Sequence, residues 1–242
     1  MTLQNRWTFG ILTLALCAAV FTTALPGAKA SESAVALPAP LLDSPKTQGS
    51  LQTVVVSGGC FWGVQGVFEH VQGVRKVVSG YSGGDKATAN YETVSSGSTG
   101  HAESVQISYD PKEITYGQLL QIYFSVAHDP TQLNRQDPDS GTQYRSNIFY
   151  SDESQKKIAL AYIAQMNKAK LFPSAIMTRV DPLKGFYAAE DYHQDFLLNN
   201  PRYPYIVIYD MPKIENLKRL YPAYYRGKPV TVKVATDAAP GA

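Results

Sequence analysis

The chain has 242 residues, 44% of them hydrophobic, and 22 Lys and Arg against 20 Asp and Glu for a formal charge of +2. That supplies apolar material for one sizeable core without requiring a second domain. The near balance of charge excludes the basic footprint of a nucleic-acid binder and a polybasic membrane patch.

Residues 1–30 predict a cleavable export signal. Arg6 lies in the leading segment, an apolar run extends from about Phe9 to Leu25, and Ala28-Lys29-Ala30 fits the small-x-small cleavage rule. Gly10, Thr13, Thr22, Thr23 and Pro26 dilute a run already near the minimum spanning length, so no stable membrane association is expected. Leu14-Ala15-Leu16-Cys17 is nearly a lipobox, and lipid anchoring through Cys17 is the alternative, disfavoured because Leu16 is large for its place. Removing the signal takes away Arg6 and Lys29 and leaves 20 basic and 20 acidic side chains. Periplasmic or secreted localisation follows from this reading.

Residues 31–50, with Pro38, Pro40 and Pro45, predict a flexible linker; residues 51–230 predict one folded domain and residues 231–242 a C-terminal tail. Thr53 to Ser57 reads as a buried strand, and Val64, Val67, Phe68 and Val71 follow at helical spacing. Val74 to Tyr81 and Ser104 to Tyr109 are expected strands, with a turn-rich loop from Ser82 to Asn90. Tyr116 to Ala127 is an expected helix. The polar stretch His128 to Gly141 is too long for a simple turn and predicts a functional loop. Asn147 to Tyr150 returns as a strand, Asp152 caps a helix from Glu153 to Lys170, Ala175 to Val180 reads as a strand, and Ala189 to Leu198 as a short helix. The remainder reads as irregular. This order predicts an α+β sandwich with helices on a mostly antiparallel sheet.

Gly58-Gly59-Cys60-Phe61-Trp62-Gly63 sets a thiol at the turn from the first strand into the first helix. Free N–H groups and the positive end of the helix dipole there are expected to favour thiolate over thiol. With the signal removed, Cys60 is the remaining cysteine, so no intrachain disulfide is expected and a working thiol is favoured over a packed one. The four histidines, His70, His101, His128 and His193, show no metal-ligand spacing.

Gly-Cys-Phe-Trp-Gly resembles the active-site signature of the peptide methionine sulfoxide reductase A family, which acts on the S epimer. Gly100-His101-Ala102-Glu103, Asp139-Ser140-Gly141-Thr142-Gln143-Tyr144-Arg145-Ser146 and Ala189-Glu190-Asp191-Tyr192-His193-Gln194 resemble further blocks of that family in the same order, over about residues 52–226. The resemblance implies a ferredoxin-like core with long added loops and the reduction of methionine sulfoxide, free or in proteins and peptides. It implies Cys60 as nucleophile, Glu103 as proton donor to the sulfoxide oxygen, and Tyr91 and Tyr144 as hydroxyl donors to that oxygen. Phe61 and Trp62 are expected to wall the substrate methyl, and Asp139 to bind substrate backbone or hold Tyr144. His101 and His193 are expected to be structural or supporting.

The chain departs from much of the family in one respect: residues 211–242 contain no recycling cysteine. No bound cofactor is expected. An external thiol reductant, a thioredoxin-like protein or a small thiol, must restore Cys60. Two rivals stay open on sequence: a Cys-dependent acyl hydrolase pairing Cys60 with His101 or His193, and a non-enzymatic aromatic binding module built on the 16 tyrosines.

Overall fold

The computed structural model describes residues 34–232. The expected signal segment, Cys17 and the tail from residue 233 lie outside the described residues. Strand β1 (Gln52–Ser57) leads through Gly58 and Gly59 into helix α1 (Phe61–Glu69), followed by β2 (Val74–Ser82), a single turn α2 (Tyr91–Val94) and β3 (Ala102–Tyr109). Helix α3 (Tyr116–Ile122) runs on as a π-helical turn, Tyr123–Ala127. The expected functional loop holds a two-residue-strand hairpin, β4 (Arg135–Gln136) and β5 (Asp139–Ser140), and ends in a 3-10 turn, Thr142–Tyr144. Then come β6 (Asn147–Tyr150), α4 (Glu153–Lys168), β7 (Arg179–Pro182), β8 (Phe186–Ala188), α5 (Phe196–Asn199), a second π-helical turn Ile206–Asp210, and α6 (Met211–Leu220).

The main sheet has the order β7-β6-β1-β3-β2-β8, and only the β6–β7 pair is parallel. Helix α1 carries the chain from β1 to β2 past the intervening β3, and α3 carries it from β3 to β6 past β1. These two interleaved split βαβ units form a ferredoxin-like α+β core. Four consecutive residues of β1, Val54 to Ser57, are buried, which is why that strand reads as a continuous apolar run. Every residue of α1 except Trp62 is buried. A helix enclosed on all sides needs small residues where neighbours press close, and a Cβ at Gly66 would lie 2.7 Å from Leu197 Cδ1 of α5.

Several expectations are corrected. The C-terminal part is helical over Met211–Leu220; Pro212 sits in the first turn, where its missing N–H costs nothing, and only Ile214 and Leu217 are buried, too few to mark a period. The segment Ala189 to Leu198 is not one helix but two single turns, broken at Asp195, whose φ of +53° is left-handed. Strand β7 starts at Arg179 rather than Ala175 because the Met177 N–H is taken by the Pro130 carbonyl at 2.7 Å. Strand β8, three residues long, was not legible at all.

The described part of the expected flexible linker lies docked on the domain. Leu37 is buried; its N–H donates to Tyr221 Oη at 3.0 Å and its carbonyl accepts from Gln121 at 2.7 Å. Tyr162 Oη donates to the Pro38 carbonyl at 2.8 Å, and Gln165 donates to the Ala39 carbonyl at 3.0 Å. Asp43 accepts from the Gly117 N–H at 2.7 Å and from the Thr115 hydroxyl, adding a carboxylate to the start of α3. Proline fixes the strap as extended chain, and side chains of α3 and α4 satisfy its backbone. Leu37→Ala is therefore expected to cost about 2–4 kcal/mol of folding stability, as for other buried leucines. Urea denaturation checks this, and an unchanged midpoint would mean that the strap does not pack.

Candidate active site

Gly59, at φ +89°, makes the turn that delivers Cys60 to the N-cap of α1. A Cβ there would meet Gln136 Cβ at 2.7 Å, so both conformation and space demand glycine. The Gly59 N–H donates to the Tyr144 carbonyl at 3.2 Å, Ser57 Oγ to the Arg145 carbonyl at 2.9 Å, and Tyr123 Oη to the Ser57 carbonyl at 2.6 Å. The first two bonds stitch the turn before Cys60 to the loop that carries Tyr144, and the third ties it to the first π-helical turn. Cys60 itself is 8% exposed.

Glu103, the second residue of β3, is buried, and its Oε2 accepts from the Phe61 N–H at 3.1 Å. Thiol and carboxyl thus share one helix N-terminus. Burial pushes Glu103 up to about 8; the Phe61 N–H opposes this, while Asp139 and Asp210 add to the rise. Burial likewise pushes the Cys60 thiol well above its ordinary value, and the charges of Glu103, Asp210 and Asp139 push the same way. Only the nearby Trp62 N–H favours the thiolate, and the sulfur forms no capping hydrogen bond. The expected resting thiolate is therefore corrected. Desolvation and then the three carboxyls push the thiol up, opposite to the direction expected of a helix N-terminus.

Tyr144 and Tyr91 both feel Glu103 and Cys60, and burial first, then Glu103, raises each phenol, so both stay protonated donors. Tyr91 is placed by its N–H, which donates to Glu190 at 2.9 Å, and by ring contact with His193 at 4.5 Å. Trp62 is half-buried, stacked on Phe196 at 3.8 Å, with Nε1 donating to His193 Nδ1 at 3.1 Å. Phe61 lies deeper than a wall residue would. At 1% exposure it is wedged between Tyr81 and His193, whereas Trp62 is only half-buried. Asp139 holds Tyr205, whose hydroxyl donates to it, rather than Tyr144.

The sequence reading missed Tyr205, Asp210, Glu190 and Tyr81. Tyr81 Oη donates to Glu190 at 2.8 Å, which ties β2 to the block preceding α5. Asp210 is fully buried, paired with Lys213 at 3.2 Å, and so close to α1 that a Cβ on Gly63 would lie 2.0 Å from its Oδ1. Gly63 was the available signal: a glycine inside a helix marks a close approach. His101 is engaged at both ring nitrogens, by the Gly84 N–H at 3.2 Å and the Asp85 carbonyl at 3.0 Å. Among the described residues no imidazole hydrogen-bonds Cys60, which removes the geometry that a Cys–His hydrolase needs.

A family model described as peptide methionine sulfoxide reductase matches residues 52–223. The chain belongs to that family. It is 62% identical over 196 residues to peptide methionine sulfoxide reductase MsrA 2 of Mesorhizobium japonicum, covering 81% of this chain and 100% of that one. It is 50% identical to MsrA 2 of Synechocystis sp., covering 76% of this chain and 88% of that one. Among solved structures, Mxr1 of Saccharomyces cerevisiae in reduced form aligns with TM-score 0.57 at 31% identity, over 67% of this chain and 92% of that one. Methionine sulfoxide reductase A of Corynebacterium diphtheriae aligns with TM-score 0.55 at 31% identity, over 72% and 90%. As a peptide methionine sulfoxide reductase the chain is an oxidoreductase acting on methionine sulfoxide, which also leaves no place for the reading as a non-enzymatic binding module.

The carboxyl cluster has a measurable sign. Glu103 has a folded pKa raised above its unfolded value near 4.3, so folding stability falls as pH rises from about 4 to about 8 and is level above that. Glu103→Gln removes this cost, so its melting temperature is expected to match wild type near pH 4 and exceed it above pH 8. It also removes a negative charge beside Cys60, so iodoacetamide alkylation should shift to lower pH. A shift to higher pH would show that Glu103 does not face the thiol.

Proposed function

We propose that this reductase works through a Cys60 sulfenic acid and belongs to the one-cysteine type. The observation that carries this is the joint placement of the buried thiol and the Glu103 carboxyl at one helix N-terminus, with Glu103 still protonated near neutral pH. The Cys60 sulfur attacks the sulfoxide sulfur while Glu103 protonates the sulfoxide oxygen, and the Tyr91 and Tyr144 hydroxyls donate to that oxygen as charge builds on it. The S–O bond breaks, the oxygen ends on the enzyme sulfur with the proton from Glu103, and the proton of the Cys60 thiol passes to the Glu103 carboxylate. Methionine sulfur gains two electrons and Cys60 sulfur loses two, giving a thioether and Cys60–SOH. Trp62 receives the substrate methyl, and the chirality of the site selects the S epimer.

Cys60 is the free cysteine of the described residues, so the sulfenic acid is resolved from outside. A small thiol or a thioredoxin-like dithiol condenses with it, releasing water and leaving a mixed disulfide; a second thiol then restores Cys60 and departs as disulfide. The residue 1–30 segment supports an exported enzyme that repairs oxidised proteins outside the cytosol. Among the described residues no helix is long and apolar enough to cross a membrane.

Cys60→Ser is expected to abolish reduction of the S epimer, with the R epimer untouched by either protein. Without reductant, wild-type enzyme should release about one methionine per chain and form no intrachain disulfide, because each chain holds one oxidisable site thiol. Chromatography of released methionine and intact mass check this; two methionines per chain would overturn the one-cysteine mechanism. Glu103→Gln should slow the step about 10²- to 10⁴-fold, the usual worth of a positioned acid. The wild-type rate should fall as pH rises through about 8, where Glu103 loses its proton. A flat profile across that range, or full rate in Glu103→Gln, would remove Glu103 from the role.

A further inference from the structure

From Trp62, two residues after Cys60, ring contacts continue outward as an aromatic band. Trp62 stacks on Phe196 and meets Tyr203 edge-on at 6.2 Å; on its other side it approaches His193 at 5.8 Å. His193 in turn carries Tyr91 at 4.5 Å and Tyr192 at 4.3 Å. Three members open to water: Tyr91 is 36% exposed, Tyr192 63% and Tyr203 48%. The next helical turn adds Val207, 49% exposed, whose N–H bonds the Tyr203 carbonyl at 3.0 Å so that Tyr203 and Val207 lie on one face, and beside it Ile208, 51% exposed.

Ile206 and Asp210 anchor that turn in the core, and Val207 and Ile208 face water beside them. Clustered exposed apolar groups mark interaction surfaces, and tyrosine and tryptophan suit them because one ring edge stays wet. The band's own side chains carry no formal charge, and charges stand at its ends: Asp191 beside Tyr192 and Arg202 beside Tyr203, both exposed.

We propose that this band is a docking surface for the polypeptide on either side of an oxidised methionine, and that it favours apolar flanks. The proposal rests on the reductase reading above and names its substrate class. A sulfoxide within a polypeptide brings chain across whatever rims the thiol, so the rim must meet the flanking residues. Continuity of the rim with the reacting centre makes the substrate its occupant. Methionine is mostly a core residue, and its oxidation loosens the core around it. Its neighbours in a damaged protein are accordingly apolar, and an uncharged aromatic rim gives them cover. Free methionine sulfoxide reaches only the pocket and gains nothing from the band.

Steady-state kinetics on the full chain with dithiothreitol as reductant test this, using free methionine S-sulfoxide, a peptide with Leu and Phe around the sulfoxide, and the same peptide with Glu in their place. Wild type is expected to prefer the apolar-flanked peptide by about tenfold in kcat/KM, the worth of partly covering two side chains. Val207→Asp with Ile208→Asp should erase that preference through KM, with kcat and the free substrate little changed. Val207→Ser, milder for folding, should lose part of it, and far-UV circular dichroism checks both variants. Equal kcat/KM for the two peptides, with free sulfoxide still reduced, would overturn this inference and leave the reductase reading standing; failure on free sulfoxide as well would strike the reductase reading itself. An effect of the double variant seen only with a thioredoxin-like protein as reductant would assign the band to the reductant instead. Loss of a dimer in sedimentation, with the flank preference intact, would make it a contact between copies of this chain.

Discussion

The hydrogen bond from the Phe61 N–H to Glu103 Oε2 ties the start of α1 to the start of β3, and the chemistry of the site depends on it. A helix N-terminus favours negative charge, yet here Glu103, Asp139, Asp210 and a thiol crowd one such terminus inside a nearly dry turn. The field satisfies only a fraction of the charge that those groups can carry. Burial and these charges push both the thiol and Glu103 toward their protonated forms. In the mechanism proposed above, neutral thiol plus sulfoxide would yield neutral sulfenic acid plus thioether, a step that would need no net proton from water. A site that holds its protons already contains what the step moves.

Helix α1 can occupy that position because three segments close around it at residues without side chains. Gln136 of the loop presses on Gly59, Asp210 on Gly63 and Leu197 on Gly66. Each added Cβ would meet an atom at 2.7 Å or less. Enclosing the helix this way desolvates Cys60 and Glu103 together, so the packing that stabilises the fold and the raised pKa values share one cause.

What was legible in the sequence was local. The apolar run of β1, the glycine turn, the nucleophile and the capping of α4 by Asp152 each depend on residues within one or two turns. The ionisation of Cys60 was not legible, because the dipole is local whereas the burial that raises the thiol, and after it the carboxyls from β3, β5 and the end of the second π-helical turn, belong to the fold. Asp210 escaped notice since an aspartate in a tyrosine-rich tail reads as surface, and its burial depends on a gap at Gly63 far away in the chain. The strap from Ala34 was misread for a related reason. Proline-rich chain satisfies none of its own backbone groups, and the side chains that do so, Gln121, Tyr162 and Gln165, belong to helices whose placement only the fold reveals.

Tyr221 gives the molecule a clasp. Its hydroxyl meets the Leu37 N–H at 3.0 Å and Ser125 Oγ at 2.6 Å, joining the beginning of the described chain, the end of α6 and the first π-helical turn through one phenol. That turn also carries Tyr123, whose hydroxyl holds the carbonyl of Ser57, the residue just before the glycine pair. Loosening of the strap at Leu37 or of the end of α6 at Tyr221 therefore loosens the other and slackens the turn on which Cys60 rides. Integrity of the strap and alignment of the nucleophile are one mechanical property, and a protease that nicks the strap would blunt the enzyme without touching its active site.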